Sequence, residues 1–238
     1  MTKQTRGIAD ALARGLGEFG LDQALAAPLA DYIALLARWN RAYNLTSVRD
    51  PEQMVTRHVL DCLAVLPVLD ALALPKDLRL LDVGAGAGLP GLLLAMARPD
   101  WSVTVLDSNG KKARFMRFAA RDLGLANVAT VQERAERYRP ERPFTAIISR
   151  AYSQLADFFA STHAALAADG YWLAMKGKLA DPEVAQAHKQ GVRIMQITAL
   201  QVPGLDEARH RDAVELALLL RGQGQGQWSG LGPKARGT

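Results

Sequence analysis

The stretch Leu80-Leu-Asp82-Val-Gly84-Ala-Gly86-Ala-Gly88-Leu-Pro90-Gly91 places three alternating glycines directly after a short apolar run. With no Cβ atoms, such a backbone can close on a ligand and adopt positive φ. A helix that starts just behind the turn aims unpaired N–H groups and a positive dipole end at it, which suits an anionic group. A second apolar run, Val103-Thr-Val-Leu-Asp107, ends on an acid 23 residues after Gly84. A carboxylate placed there can accept both hydroxyls of a ribose, or it can cap the helix that follows. This set of residues can hold a nucleotide-like cofactor in the crevice beyond the ends of two parallel strands.

Two ligand classes compete for such a crevice. The dinucleotide fingerprint G-x-G-x-x-G, counted from Gly84 and Gly86, needs a third glycine where this chain has Leu89. The pattern here is Asp82-x-Gly84-x-Gly86-x-Gly88. It resembles motif I of class I S-adenosylmethionine-dependent methyltransferases, whose cofactor carries a methionyl carboxylate smaller than a pyrophosphate. The expected cofactor contacts are therefore Asp82, Gly84, Gly86, Gly88 and Asp107. A third contact is expected from the loop after Val128–Val131, where Glu133, Ala135 and Glu136 stand. A backbone N–H beside a carboxylate can read the adenine edge; the bland alternative is a solvated acidic loop.

The substrate side is basic. Lys111, Lys112, Arg114, Arg117 and Arg121 fall within eleven residues that contain no acid. Arg114, Arg117 and Arg121 would share an arc of about 60° on a helix. That stripe reads either as a solvated face or as a phosphate-binding surface. Arg150, in Ser149-Arg-Ala151 after the fourth strand, is expected to hold a phosphate, a base edge or the cofactor carboxylate, because a guanidinium beside a sulfonium is otherwise repelled. Lys176, at the next strand end, is a further candidate for an RNA phosphate. Cys62, the single cysteine, follows His58 by four residues in an apolar helical pattern and reads as a core thiol. The four histidines are scattered, so no metal site is expected, and there is no P-loop lysine.

Positioning these groups requires alternating strands and helices. From Leu78 the rhythm predicts strands over 79–83, 103–107, 128–131, 144–149, 171–176, 192–198 and 214–220. Helices fall over 90–97, 111–123, 154–166 and 182–189. The fold expected is α/β: a Rossmann-like, seven-stranded, mostly parallel sheet with an antiparallel edge hairpin. The first 75 residues read as an N-terminal helical extension, with a break at Asn44-Leu-Thr-Ser and an N-cap at Asp50-Pro51. The methyltransferase-like domain spans 76–221. Residues 222–238, with six glycines and no acid, read as a flexible tail. Lys and Arg number 29 against 24 Asp and Glu in 238 residues, a net charge of +5 that permits a polyanionic partner without requiring one. No disulfide can form within the chain, and no apolar run reaches the roughly 20 residues of a membrane helix. A cytoplasmic protein is expected.

Several of these segments together, Tyr43-Asn-Leu-Thr46, Arg57-His58, Asp82 to Gly91, Leu106-Asp-Ser108, Lys111-Lys112 and Ser149-Arg-Ala151, resemble the RsmG family, also called glucose-inhibited division protein B. The resemblance runs to about Leu220; the Gly-rich tail departs from it. It implies a class I methyltransferase that takes a methyl group from S-adenosylmethionine to N7 of one guanine in 16S ribosomal RNA, with the RNA or the small ribosomal subunit as partner. It also implies cofactor contacts at Gly84, Leu89, Ala135 with Glu136, and Arg150. Guanine N7 already carries an exposed lone pair, so no general base is expected and no catalytic residue is named. A monomer without metal is expected. Transfer to another RNA or to a small molecule, a nicotinamide-dependent oxidoreductase and a non-catalytic RNA-binding module remain as alternatives.

Overall fold

The computed structural model describes residues 3–72, 74–150, 152, 154–177, 179–189, 191–205 and 215–221. The Gly-rich segment expected to be a tail, with Lys234 and Arg236, lies outside the described residues, as does Ala151.

Helices come first: α1 (Lys3–Glu18), α2 (Ala26–Tyr43), α3 (Pro51–Met54), a π-helical turn over Val55–Leu60, α4 (Asp61–Leu63) and α5 (Leu66–Asp70). Asn44 ends α2 in the left-handed region at φ 49°. Asp50 caps α3 by accepting the Glu52 N–H, as its position before Pro51 predicts. The π-helical turn was not expected, because widening a turn by one residue hardly changes the apolar rhythm of the sequence.

Then β1 (Arg79–Val83), α6 (Gly91–Ala97), β2 (Ser102–Leu106), α7 (Gly110–Asp122), β3 (Val128–Val131), β4 (Phe144–Ser149), α8 (Leu155–Thr162), β5 (Leu166–Lys176), α9 (Asp181–Lys189), β6 (Val192–Ala199) and β7 (Glu215–Arg221) build one sheet, ordered β3-β2-β1-β4-β5-β7-β6. The first five strands run parallel; β7 is antiparallel to both β5 and β6. All seven expected strands are present. The largest shift is at β5, which starts at Leu166 where a helix was expected to end. Leu166 pairs with Phe144, and the ladder then skips to Ala146 with Tyr171. At Gly170 a Cβ would lie 2.7 Å from Leu166 and 3.0 Å from the Thr145 carbonyl, so a side chain there would obstruct this irregularity.

The strand order reverses between β1 and β4, which opens a crevice at their carboxyl ends. One sheet face and α6 and α7 share a continuous apolar cluster with the N-terminal helices, from Leu12, Leu36 and Val59 to Leu80, Leu92 and Phe115. The first 75 residues therefore close over the sheet instead of forming a core of their own. The other face packs on α8 and α9 through Phe158, Phe159 and Trp172. No helix among the described residues is long and apolar enough to cross a membrane.

Candidate active site

A cleft of about 500 Å³ opens at the carboxyl ends of β1 and β2. Its walls include Val83 and Gly84 from β1, Asp107 and Ser108 beyond β2, and Glu133 to Glu136 beyond β3. Tyr152, Asp157, Ala160 and Ser161 close it from the β4 side. Gly84, Asp107, Ala135 and Glu136, far apart in sequence, are thus brought to one cavity.

The glycine turn is held from below and from the side. Gly84, Gly86 and Gly88 all have positive φ (71°, 61° and 81°). The Gly84 and Ala85 N–H groups both donate to the Leu106 carbonyl, tying the turn to the end of β2. Asp107, only 6% exposed, accepts the Gly86 N–H at 3.0 Å on one oxygen and the Asn109 N–H at 2.8 Å on the other. The cap of α7 is Asn109, whose side chain accepts the Lys111 and Lys112 N–H groups. Asp107 is therefore not the helix cap. Each of its oxygens keeps a second lone-pair direction for a ligand, and the Lys112 ammonium lies 3.7 Å away.

Asp82 does not line the cleft. Its side chain is 0% exposed, and one oxygen accepts the Gly91 N–H at 2.7 Å. Its other oxygen has no partner among the described residues. Burial pushes its carboxyl up to about 7, against the pull of the Gly91 N–H and Arg150. Asp82 shapes the turn and the start of α6 from beneath. Gly86, Gly88 and Leu89 likewise do not line the cleft: a Cβ on Gly88 would fall 2.3 Å from Leu92, and Leu89 is buried. Tyr32 of α2 donates to the Ala87 carbonyl at 2.8 Å, so the N-terminal helices also grip this turn.

Arg150 is not among the residues that line the cleft. Its guanidinium donates to Asp61 at 2.6 Å and to the Arg57 carbonyl at 3.4 Å, and its side chain stays 27% exposed. Burial pushes the Asp61 carboxyl up and Arg150 pulls it back. Beside them, burial and then the Arg150 charge lower His58 to about 4, so the ring is neutral. Its Nδ1–H donates to the Arg57 carbonyl, which leaves Nε2 to accept the Thr46 hydroxyl at 2.8 Å. Arg57, His58 and Thr46, distant from Arg150 in sequence, thus join one network with it. Cys62 is fully buried against Arg150, and burial raises its thiol, in keeping with a core thiol.

The basic residues divide. Arg114, Arg117 and Arg121 are exposed on α7, opposite the buried Phe115, Met116 and Ala119. Lys176 corrects the expectation of a phosphate ligand. It is 12% exposed and ion-paired with Glu183, which also accepts the Leu155 N–H at 2.7 Å. The pair fastens β5 to α8 and α9, so the ammonium is not offered to solvent. Among the described residues, no group of three His, Cys, Asp or Glu side chains could hold a metal ion.

On the β4 side the cleft residues went unread in the sequence: Tyr152, Asp157, Ala160 and Ser161. The last three recur at i, i+3 and i+4, one face of α8. Their signal was the loop position after β4 and that helical spacing. The Tyr152 hydroxyl shares a 2.8 Å hydrogen bond with Ser161, and the ring packs 5.1 Å from Phe158.

A family described as rRNA small subunit methyltransferase G (GidB) matches residues 26–212. A ribosomal RNA small subunit methyltransferase G from Laribacter hongkongensis is 46% identical over 207 residues, which cover 85% of this chain and 96% of that protein. One from Chromohalobacter salexigens is 51% identical over 195 residues, 81% of this chain and 90% of that protein. Among solved structures, an S-adenosylmethionine-dependent methyltransferase from Aquifex aeolicus aligns with a TM-score of 0.53 at 17% identity, over 75% of this chain and 97% of its own. Another from Geobacter sulfurreducens, in complex with S-adenosyl-L-homocysteine, aligns with a TM-score of 0.52 at 14% identity, over 79% and 98%. At such identities the likeness speaks for the fold, which is that of class I S-adenosylmethionine-dependent methyltransferases.

Proposed function

The chain belongs to the rRNA small subunit methyltransferase G (GidB) family, and on that premise we propose that it transfers a methyl group from S-adenosylmethionine to N7 of a guanine in 16S ribosomal RNA. The observation that carries this reading is the cleft itself. It joins a positive-φ glycine turn, an acid with free lone pairs and the β3 loop at one strand-end crevice.

The residues present fit that cofactor. Asp107 would accept the ribose hydroxyls, while Glu136 and the Ala135 backbone would meet the adenine edge. Gly84, in the cleft wall, would let the methionyl moiety approach the main chain, with Gly86 tied beneath it to Asp107. When bound, S-adenosylmethionine supplies an electrophilic methyl group on a sulfonium. The chain supplies position. Guanine N7 has a lone pair and no proton to lose, so the residues need only align it. Alignment can account for about 7–11 kcal/mol of barrier. Arg150, held by Asp61 and the Arg57 carbonyl just beyond β4, would help orient the nucleotide. Arg114, Arg117 and Arg121 would face the RNA.

The test is incubation of the enzyme with radiolabelled S-adenosylmethionine and either deproteinised 16S rRNA or small subunits, followed by mapping of the label. Label at a guanine N7 of 16S rRNA is expected. Transfer that proceeds without RNA, or label on another atom, overturns the reading.

A further inference from the structure

Helices α2 and α7 carry a row of flat groups along their shared edge. Tyr43 stacks on Trp39 at 5.2 Å with ring planes 28° apart. Trp39 lies 5.2 Å from Phe118, and the Arg121 guanidinium sits 5.5 Å over the Phe118 ring. The three rings are half-buried and Arg121 is exposed, so the row has an inner side and an open one. Its inner side is anchored, because Trp39 meets the fully buried Phe115 edge-on at 5.5 Å.

The row lies within the basic stripe. At helical pitch Lys111, Arg114, Phe118 and Arg121 follow one line along α7, about 15 Å long, with Arg117 beside it. None of these four cations has an ionic partner among the described residues. The line begins next to Lys112, 3.7 Å from Asp107, and Asp122 closes its far end. It therefore leads from the cofactor cleft onto the aromatic row.

We propose that the Tyr43–Trp39–Phe118–Arg121 row is a base-stacking platform on which a single-stranded segment of the RNA substrate lies, its phosphates on Lys111, Arg114 and Arg117. The inference rests on the rRNA reading above and deepens it. Charge alone would hold any polyanion. A row of π-faces beside free cations selects an unpaired nucleic acid strand, since bases offer faces only when unpaired or splayed. Rings already stacked on one another also lose little side-chain freedom when a base settles on them.

The test separates stacking from charge. Binding of a short single-stranded oligoribonucleotide of 16S sequence is compared with that of the same backbone made abasic, across a salt series. The wild-type protein is expected to prefer the base-bearing strand by roughly 5- to 150-fold, the worth of one stacked base. Phe118→Leu keeps an apolar contact but removes the ring; it should lose most of that preference and keep the salt slope. Phe118→Tyr should restore it. Arg114→Ala with Lys111→Ala should flatten the slope and keep the preference. Cofactor affinity, unchanged in all variants, certifies the fold. A wild-type protein that binds both strands alike, or a Phe118→Leu variant that keeps the preference, overturns the platform. Methyl transfer to 16S rRNA by the wild-type protein, measured alongside, reports on the rRNA reading independently.

Discussion

Asp107→Asn probes the cofactor site most directly. The Asp107 carboxylate already uses one lone pair on each oxygen, for Gly86 at 3.0 Å and Asn109 at 2.8 Å. An asparagine keeps the size but turns one oxygen into an NH2 group. Whichever way the amide is turned, one of the two backbone N–H groups faces a donor. The ribose likewise loses one acceptor, and the remaining bond loses its charge. Charge-assisted hydrogen bonds contribute about 1.5–3 kcal/mol and neutral ones about 0.5–1.5. The expected loss in S-adenosylmethionine binding is therefore about 2–4 kcal/mol, or roughly 30- to 1,000-fold in Kd. Calorimetric titration measures it, and a thermal melt of the free protein should also fall because the glycine turn loses a tie. A Kd within about threefold of wild type would refute a ribose contact at Asp107. An unchanged melt together with a weakened Kd would refute only the bracing of Gly86.

Gly91→Ala would set a Cβ 2.6 Å from Val105 and 2.8 Å from the Asp82 carboxylate. Both neighbours are fully buried, so overpacking and strain on the Gly91–Asp82 bond should cost about 2–4 kcal/mol, read as a lower denaturation midpoint. Gly7→Ala, on an exposed turn inside α1 with open space around it, should stabilise by about 0.5–1 kcal/mol. Asp61→Ala strands the Arg150 guanidinium. Breaking a buried pair costs about 3–5 kcal/mol, and the 27% exposure of Arg150 lowers the expectation to about 2–3. Methyl transfer should fall further than the loss of fold predicts, and activity that tracks stability alone would argue against a positioning role for this pair. His58, lowered to about 4 in the folded chain, binds its proton later than in the unfolded chain. Folding is then weakened as pH falls from about 6.5 toward 4. The stability of His58→Gln relative to wild type should rise over that window by up to about 3 kcal/mol. The opposing slope from Asp82 is common to both proteins and cancels in the difference. A difference that stays flat with pH would mean that His58 titrates normally.

Much of the fold was legible in the chain because it rests on local chemistry. Alternating apolar runs and helical patterns placed all seven strands, since a sheet covered on both faces demands near-continuous apolar segments. Gly84, Gly86 and Gly88 announced positive φ because only glycine adopts it freely. The acid ending the second strand announced a cleft-lining carboxylate because strand ends line the crevice. The π-helical turn and the early start of β5 were not legible, as neither alters the apolar rhythm.

Composition and spacing by themselves determined where the cofactor crevice would form and that α7 would carry a bare basic stripe. Only the tertiary structure decided which charged groups are already engaged. Arg150 meets Asp61 across 89 residues, Asp82 is sealed beneath Gly91, and Lys176 is tied to Glu183. The physical reason is that a side chain's type reveals what it can bind, whereas its partner depends on packing between segments that the linear chain leaves far apart.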